Sequence, residues 1–222
     1  MTFTCIARDA ATGELGIATA TRSLAVGVRV PHVSRLGAVA IMAIADYRLG
    51  RLAQDLLANG CPAEAVIDGL VATDPWPEYR QLGVIDAEGR AAARTGGENR
   101  DFAGHHVRDG LVALGNVLVG EHVLDAIEGG FQGDSLAERL LAALEAGRDA
   151  GGQHGGQNSA ALVAWGGHGF PLVDLRVDIH EEPVGELRRV FDAWKPAGDY
   201  YTERQLDPRV RPLHETLPGR GY

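Results

Sequence analysis

One lysine, two cysteines and no long apolar run are what this 222-residue chain has least of. Lys195 is that lysine, which leaves 20 of the 21 basic residues as arginines. A mechanism that needs a lysine amine therefore has one candidate, in Trp194-Lys195-Pro196 near the C-terminus. Cys5 and Cys61 stand apart without CxxC or another paired-ligand spacing. That argues against a structural zinc site and favours a reducing compartment. A disulfide between the two is open but not required. No run reaches about 18 apolar residues, and residues 1 to 20 carry Asp9 and Glu14 without a continuous apolar core, so neither a membrane span nor a signal peptide is expected. The formal charge of -9 argues against phosphate backbones and anionic lipid as general partners. The expectation is a cytoplasmic protein with a small-molecule substrate or ligand, no nucleic acid and no membrane.

Familiar catalytic signatures are missing too. There is no G-x-S-x-G elbow and no HExxH. The glycine-rich GRDAGGQHGGQ at residues 147 to 157 lacks the Gly-Lys-Ser/Thr ending of a phosphate loop and precedes a strand, so it reads as a mobile loop or the rim of a pocket. His105 and His106 are adjacent on a strand and face opposite ways, which does not suit one metal. No metal and no cofactor are expected.

What is present is alternation. Phe3 to Arg8 and Leu15 to Thr21 read as a hairpin, followed by a second pair, Val28 to Val33 and Gly37 to Ala43. Leu49 to Ala58 and Ala63 to Thr73 read as helices, the second opened by Pro62. Arg80 to Ile85, Arg90 to Thr95, Phe102 to Val107 and Leu111 to Val117 are strands. Glu121 to Glu128 and Ser135 to Ala146 are helices, the latter with Asp134 as N-cap. Ser159 to Trp165 and Leu172 to Val177 are strands, and Glu186 to Trp194 is a helix before a polar tail. Strands in hairpins with helices in pairs imply an α+β fold, a four-layer αββα sandwich, rather than a doubly wound sheet. One domain over residues 1 to 195 is expected, with 196 to 222 as an extension packing on it or on a partner subunit.

Several side chains could carry chemistry. Ser23 and Ser159 lie at strand ends, where turn capping is the competing role. Asp174, Arg176 and Asp178 share one strand face as an ion-pair ladder or a site. Thr2 is either the first residue of a strand or, once Met1 is removed, a residue with nucleophile and base together. A free α-amine with a pKa of about 7.7 to 8.0 suits a general base at neutral pH.

The stretches MTFTCIARDAATGELGIATATRSLAVG, EYRQLGVIDAEGRAAARTG, GNVLVG, GGQNSAALVAW and LVDLRVDIHEEPVGELRRV, with the tail FDAWKPAGDYYTERQLDP, resemble the bacterial family known as domain of unknown function 1028, placed in the N-terminal nucleophile (Ntn) hydrolase superfamily. The resemblance implies an Ntn-type αββα sandwich, frequent homo-oligomers and hydrolysis of amide bonds. It departs at Ile41-Met42, at Asp46 to Gly50 and at Arg94, where relatives carry other residues. On that footing the chain is expected to hydrolyse a C-N bond of a small polar substrate, with Thr2 as nucleophile and Asn116 or backbone N-H groups stabilising the oxyanion. Arg22, Ser23, His32, Gln157 and Ser159 are the substrate-binding candidates, since they fall at strand ends near the open edge of such a sandwich. The alternatives are a ligand-binding or assembly protein with Met1 retained, and a hydrolase with an internal nucleophile, Cys5 or Ser159.

Overall fold

Side chains of period two divide each strand between two environments, and two antiparallel sheets result. The computed structural model describes residues 1 to 216. One sheet contains β1 (Thr2–Arg8), β2 (Leu15–Thr21), β7 (Gly104–Arg108), β8 (Leu111–Asn116), β9 (Ser159–Trp165) and β10 (Pro171–Val177), in the order β10-β9-β2-β1-β8-β7. The other is β3 (Pro31–Ser34), β4 (Gly37–Ala43), β5 (Arg80–Asp86) and β6 (Ala91–Thr95), in the order β3-β4-β5-β6.

Ile6, Ile17, Val112 and Leu114 of the first sheet pack against Ala40, Met42 and Ile85 of the second, so the two sheets lie face to face. The opposite faces are covered by helices. Phe3, Cys5, Ala18 and Ala113 pack with α3 (His122–Gly129), α4 (Leu136–Asp149) and α5 (Pro183–Trp194). Val39, Ile41, Leu82 and Val84 pack with α1 (Tyr47–Ala58) and α2 (Ala63–Thr73). Each large side chain fully buried in these layers contributes about 1.5–3 kcal/mol. Gly83 lets the sheets approach: a Cβ there would fall 2.8 Å from Ile6 Cδ1.

Several boundaries differ from expectation for local reasons. The strand expected over Val28 to Val33 is a 3-10 turn, Val26–Val28, followed by the shorter β3, because Ser159 Oγ holds the Val26 N-H and the Val30 N-H returns to Val26 O. Helix α1 begins at Tyr47, capped by Asp46, whose carboxylate accepts from the Arg48 N-H. Ser135, not Asp134, caps α4, accepting from the Glu138 N-H. Helix α5 starts at Pro183, whose fixed φ suits a first helical turn. The polar tail is partly helical, with α6 (Gly198–Leu206) and a short α7 (Leu213–Thr216); of the extension expected over 196 to 222, residues 217 to 222 lie outside the described residues. Among the described residues no helix is long and apolar enough to cross a membrane.

Candidate functional site

The layer between the sheets changes character along its length. Its middle is aliphatic, but at the N-terminal end of β1 the same inward register holds Thr2, Thr4, Thr19, Thr21, Asn116 and Gln81, each buried. Strand register produces this directly, for Thr2 lies opposite Thr21 on β2 and opposite Asn116 on β8. A polar group buried without partners is costly, so the bonding at this end is informative.

Thr21 Oγ1 donates to the Met1 carbonyl at 2.6 Å. That bond uses its only proton, so in the 3.0 Å contact between Thr2 Oγ1 and Thr21 Oγ1 it is Thr2 that donates. The Arg22 N-H also reaches the Met1 carbonyl, at 3.4 Å. The Met1 α-amine is pushed below its ordinary 8.0, first by burial and then by the Arg100 guanidinium.

Gln81, on the facing sheet, organises the other side. Its amide group at one end meets the Gly104 and Gly115 carbonyls at 3.0 and 2.8 Å, which can only accept, so that end is the nitrogen. Oε1 is thereby left for Asn116 Nδ2 at 3.0 Å. Nε2 also meets Thr95 Oγ1 at 3.0 Å, and Thr95 meets His105 Nδ1 at 2.9 Å. His105 is depressed below 6.5, chiefly by burial and then by His106, so it favours the neutral ring. His106 faces the helices instead, 3.1 Å from Glu128, and the two rings do point opposite ways.

Two cavities open on this end. One of about 220 Å³ is lined by Thr2, Thr21, Ser23, Val26, Arg29 and Ala43 among others. Its neighbour, about 280 Å³, is lined by Met1, Ile44, Tyr79, Asn99, Arg100 and Asn116 among others. The backbone around them is unusual. Ala25, Ala43 and Val117 are the non-glycine residues with positive φ among those described, at 53°, 66° and 57°. Ala43 lines both cavities, Val117 lines the second, and Ala25 precedes Val26 on the wall of the first. Left-handed backbone at a β-branched valine carries strain, and such residues gather where function constrains the chain.

The expected site residues separate into two groups. Thr2, Asn116 and Ser23 line the two cavities. Arg22 supplies its backbone to Met1, but its guanidinium lies over Gly155 of the glycine loop, in the space a Cβ there would need. Gln157 sits over Gly152 and lines neither cavity. Ser159 is fully buried, donating to Ser23 O at 2.6 Å and accepting from the Val26 N-H at 3.1 Å, so it fastens the loop after β2 and presents no free hydroxyl. Cys5 is likewise fully buried, and burial pushes its thiol pKa up.

His32 is elsewhere. It lines a much larger cavity, about 790 Å³, with Tyr47, Gln54, Trp165, Asp174 and Arg176. Size does not make that cavity the reactive centre: its aliphatic hydroxyl, Ser34, is engaged by Gln54 Oε1 at 2.6 Å and the Leu36 N-H at 3.1 Å. Arg176 pairs with Asp178 at 2.9 Å. Lys195 is also remote, bound to Glu138 on α4 at 2.8 Å. Ile41 and Met42 are fully buried core residues, and Arg94 pairs with Glu78. Among the described residues no group of three or more His, Cys, Asp or Glu is placed to hold a metal ion.

Gln81, Thr21, Arg100 and Ile44 were not singled out from the sequence. Gln81 left one legible sign, a polar residue in the same register as Gly83 and Ile85 on a strand whose other polar residues, Arg80 and Asp86, stand at its two ends.

The model of a family of unknown function (DUF1028) matches residues 2–187. The chain is also similar to a protein of known crystal structure from Silicibacter pomeroyi that carries the same family model, with 34% identity, a TM-score of 0.81, and coverage of 87% of this chain and 89% of that one. No curated protein sequence matches.

Proposed function

The chain belongs to the family of unknown function DUF1028, and from that premise we propose that it is an Ntn-type hydrolase that cleaves an amide C-N bond through Thr2. The observation that carries the reading is the Thr2 hydroxyl itself, buried at the first position of a central strand, bonded to Thr21 and opening on a cavity beside Asn116. The order of layers, helices outside two facing sheets, agrees with an Ntn-type αββα sandwich over residues 1 to 195.

In this mechanism, cleavage of the bond before Thr2 frees its α-amine. The amine takes the Thr2 hydroxyl proton while Oγ1 bonds to the substrate acyl carbon. Asn116 Nδ2 has two N-H bonds and commits one to Gln81, so the other stabilises the oxyanion along with backbone N-H groups. As the C-N bond breaks, the ammonium returns its proton to the leaving amine. Water then cleaves the Thr2 ester, giving acid plus amine and restoring Thr2. No lysine assists, because the chain's only one is held by Glu138. The freed amine must serve as base, and burial followed by the Arg100 charge, which together lower the Met1 amine, favour the neutral form of an amine at this end of the layer.

The test is rapid-quench mass spectrometry of protein beginning at Thr2 with an activated amide. An acyl adduct on the Thr2 peptide is the expected result, and its absence alongside turnover overturns the reading. A homo-oligomer acting on a small molecule in the cytoplasm completes the proposal.

One observation favours a second reading. With Met1 attached, its carbonyl already has two donors and Thr2 has its partner, so the uncut arrangement is satisfied. A ligand-binding protein that retains the residue before Thr2 would show a ligand-dependent rise in Tm without turnover.

A further inference from the structure

Beside the two cavities at Thr2 lies a third, of about 280 Å³, lined by Ile44, Trp76, Tyr79 and Arg80. Ile44 lines all three, and Tyr79 lines the second and third, so the three adjoin at one side chain. Ile44, Trp76 and Tyr79 are 59%, 62% and 45% exposed, a concentration of large apolar surface that a folded chain keeps in water at a cost unless something covers it. They are also held in place. Buried Arg80 pairs with Asp74 at 2.7 Å and donates to the Ile44 carbonyl at 2.5 Å, Asp74 accepts from the Trp76 N-H at 3.2 Å, and the Trp76 and Tyr79 rings meet edge to face at 6.4 Å. A rigid aromatic pair is a preorganised surface for another planar or branched group.

The charged side chains of the adjoining wall are Arg100 and Glu98. Neither Arg100 nor Glu98 forms a salt bridge among the described residues, which leaves the Arg100 guanidinium as the cationic donor group this wall offers a ligand.

We propose that this cleft is a specificity site for an amphiphilic N-acyl amino acid: an aromatic or branched acyl group covers Ile44, Trp76 and Tyr79, and the carboxylate on the amine side meets Arg100. The inference rests on the hydrolase reading above and replaces a uniformly polar substrate with one that has an apolar arm. On that reading the scissile bond is presented to Thr2 across Ile44, the side chain that the Thr2 cavity shares with both anchor cavities.

Binding to a Thr2→Ala protein separates the specificity site from the chemistry. Calorimetry with N-benzoylglycine, N-acetylglycine and N-benzoylglycinamide is expected to show the first binding most tightly. Trp76→Ala weakens N-benzoylglycine about tenfold and leaves N-acetylglycine unchanged. Arg100→Gln weakens both acids by about tenfold or more and spares the neutral amide. Glu98→Gln, which removes the opposing charge, tightens the acids. Equal binding of the three probes, no binding of any, or indifference to both Trp76→Ala and Arg100→Gln overturns the proposal. So does sedimentation that shows an oligomer dissolved by Trp76→Ala, since the patch then covers a second copy of the chain. If the selectivity holds but protein beginning at Thr2 hydrolyses none of the probes, the specificity site stands and the nucleophile reading fails. If hydrolysis proceeds with no effect of either variant, the reverse is true.

Discussion

Thr2 and Thr21 face each other across β1 and β2 with their hydroxyl oxygens 3.0 Å apart, and the proton order runs from Thr2 to Thr21 to the Met1 carbonyl. Removing Met1 takes away the final acceptor. Thr21 then becomes free to turn its proton toward Thr2, leaving a lone pair of Thr2 Oγ1 in the hydrogen bond and its own proton for the α-amine. Thr21→Val is therefore expected to lower kcat about tenfold or more while stability falls by about 1 kcal/mol, the worth of a neutral hydrogen bond. The check is kcat against urea-unfolding stability in one preparation.

Gln81 joins the sheets. It reaches from β5 to the paired glycines Gly104 and Gly115 of β7 and β8, and also to Asn116 and Thr95. Gln81→Leu leaves those partners buried without their bonds, and a loss of about 2–4 kcal/mol is expected. Urea unfolding measures it, and an unchanged midpoint would show that Gln81 does not link the layers.

Acid should weaken the fold in two stages. His32 and His105 are both depressed below 6.5 by burial, so the unfolded chain takes up their protons first. Their contribution is complete above pH 6.5 and declines as pH falls below that value toward the folded-state pKa of each ring. Asp9 and Asp46 are held at about 2 against an ordinary 3.8, Asp9 foremost by the Thr12 N-H and Asp46 by the Arg48 guanidinium. Their contribution is present above pH 3.8 and is lost as pH falls toward 2. Thermal melts from neutral to strongly acidic pH should show both declines, and His105→Gln should reduce the first.

Ser159 fastens the strained loop after β2, bonding both Ser23 O and the Val26 N-H. Ser159→Ala removes both and is expected to cost about 1–3 kcal/mol. Hydrogen exchange at the Val26 amide should accelerate more than exchange in β1, which a uniform loss of stability would not produce.

Much of the fold was legible because the strands are short, alternating and paired with their sequence neighbours: β2, β4, β9 and α2 begin and end where patterning puts them. Pairing of β1 with β8, and the facing of Gln81 toward Asn116, join residues 35 or more positions apart and left no local trace beyond one polar residue in the register of Gly83 and Ile85. The ends of β3 and α4 depended on which side chain wins a backbone N-H, Ser159 at Val26 and Ser135 at Glu138. Of the site, Thr2, Asn116 and Ser23 come together as register would have them, whereas His32 is carried by β3 to another cavity where its ring lies on Gly50. The apolar rim of Ile44, Trp76 and Tyr79 was invisible in sequence, since each looks like an ordinary core residue until the fold leaves it uncovered.

Hydrolysis of N-acyl amino acids by three preparations tests the central claim most directly: one beginning at Thr2, one retaining Met1, and one freed of Met1 in the same way but carrying the Thr2→Ala substitution. Turnover by the first alone, with loss of at least about a thousandfold in the others, is the predicted result. Equal turnover by the first two, or persistence in the third, would contradict it.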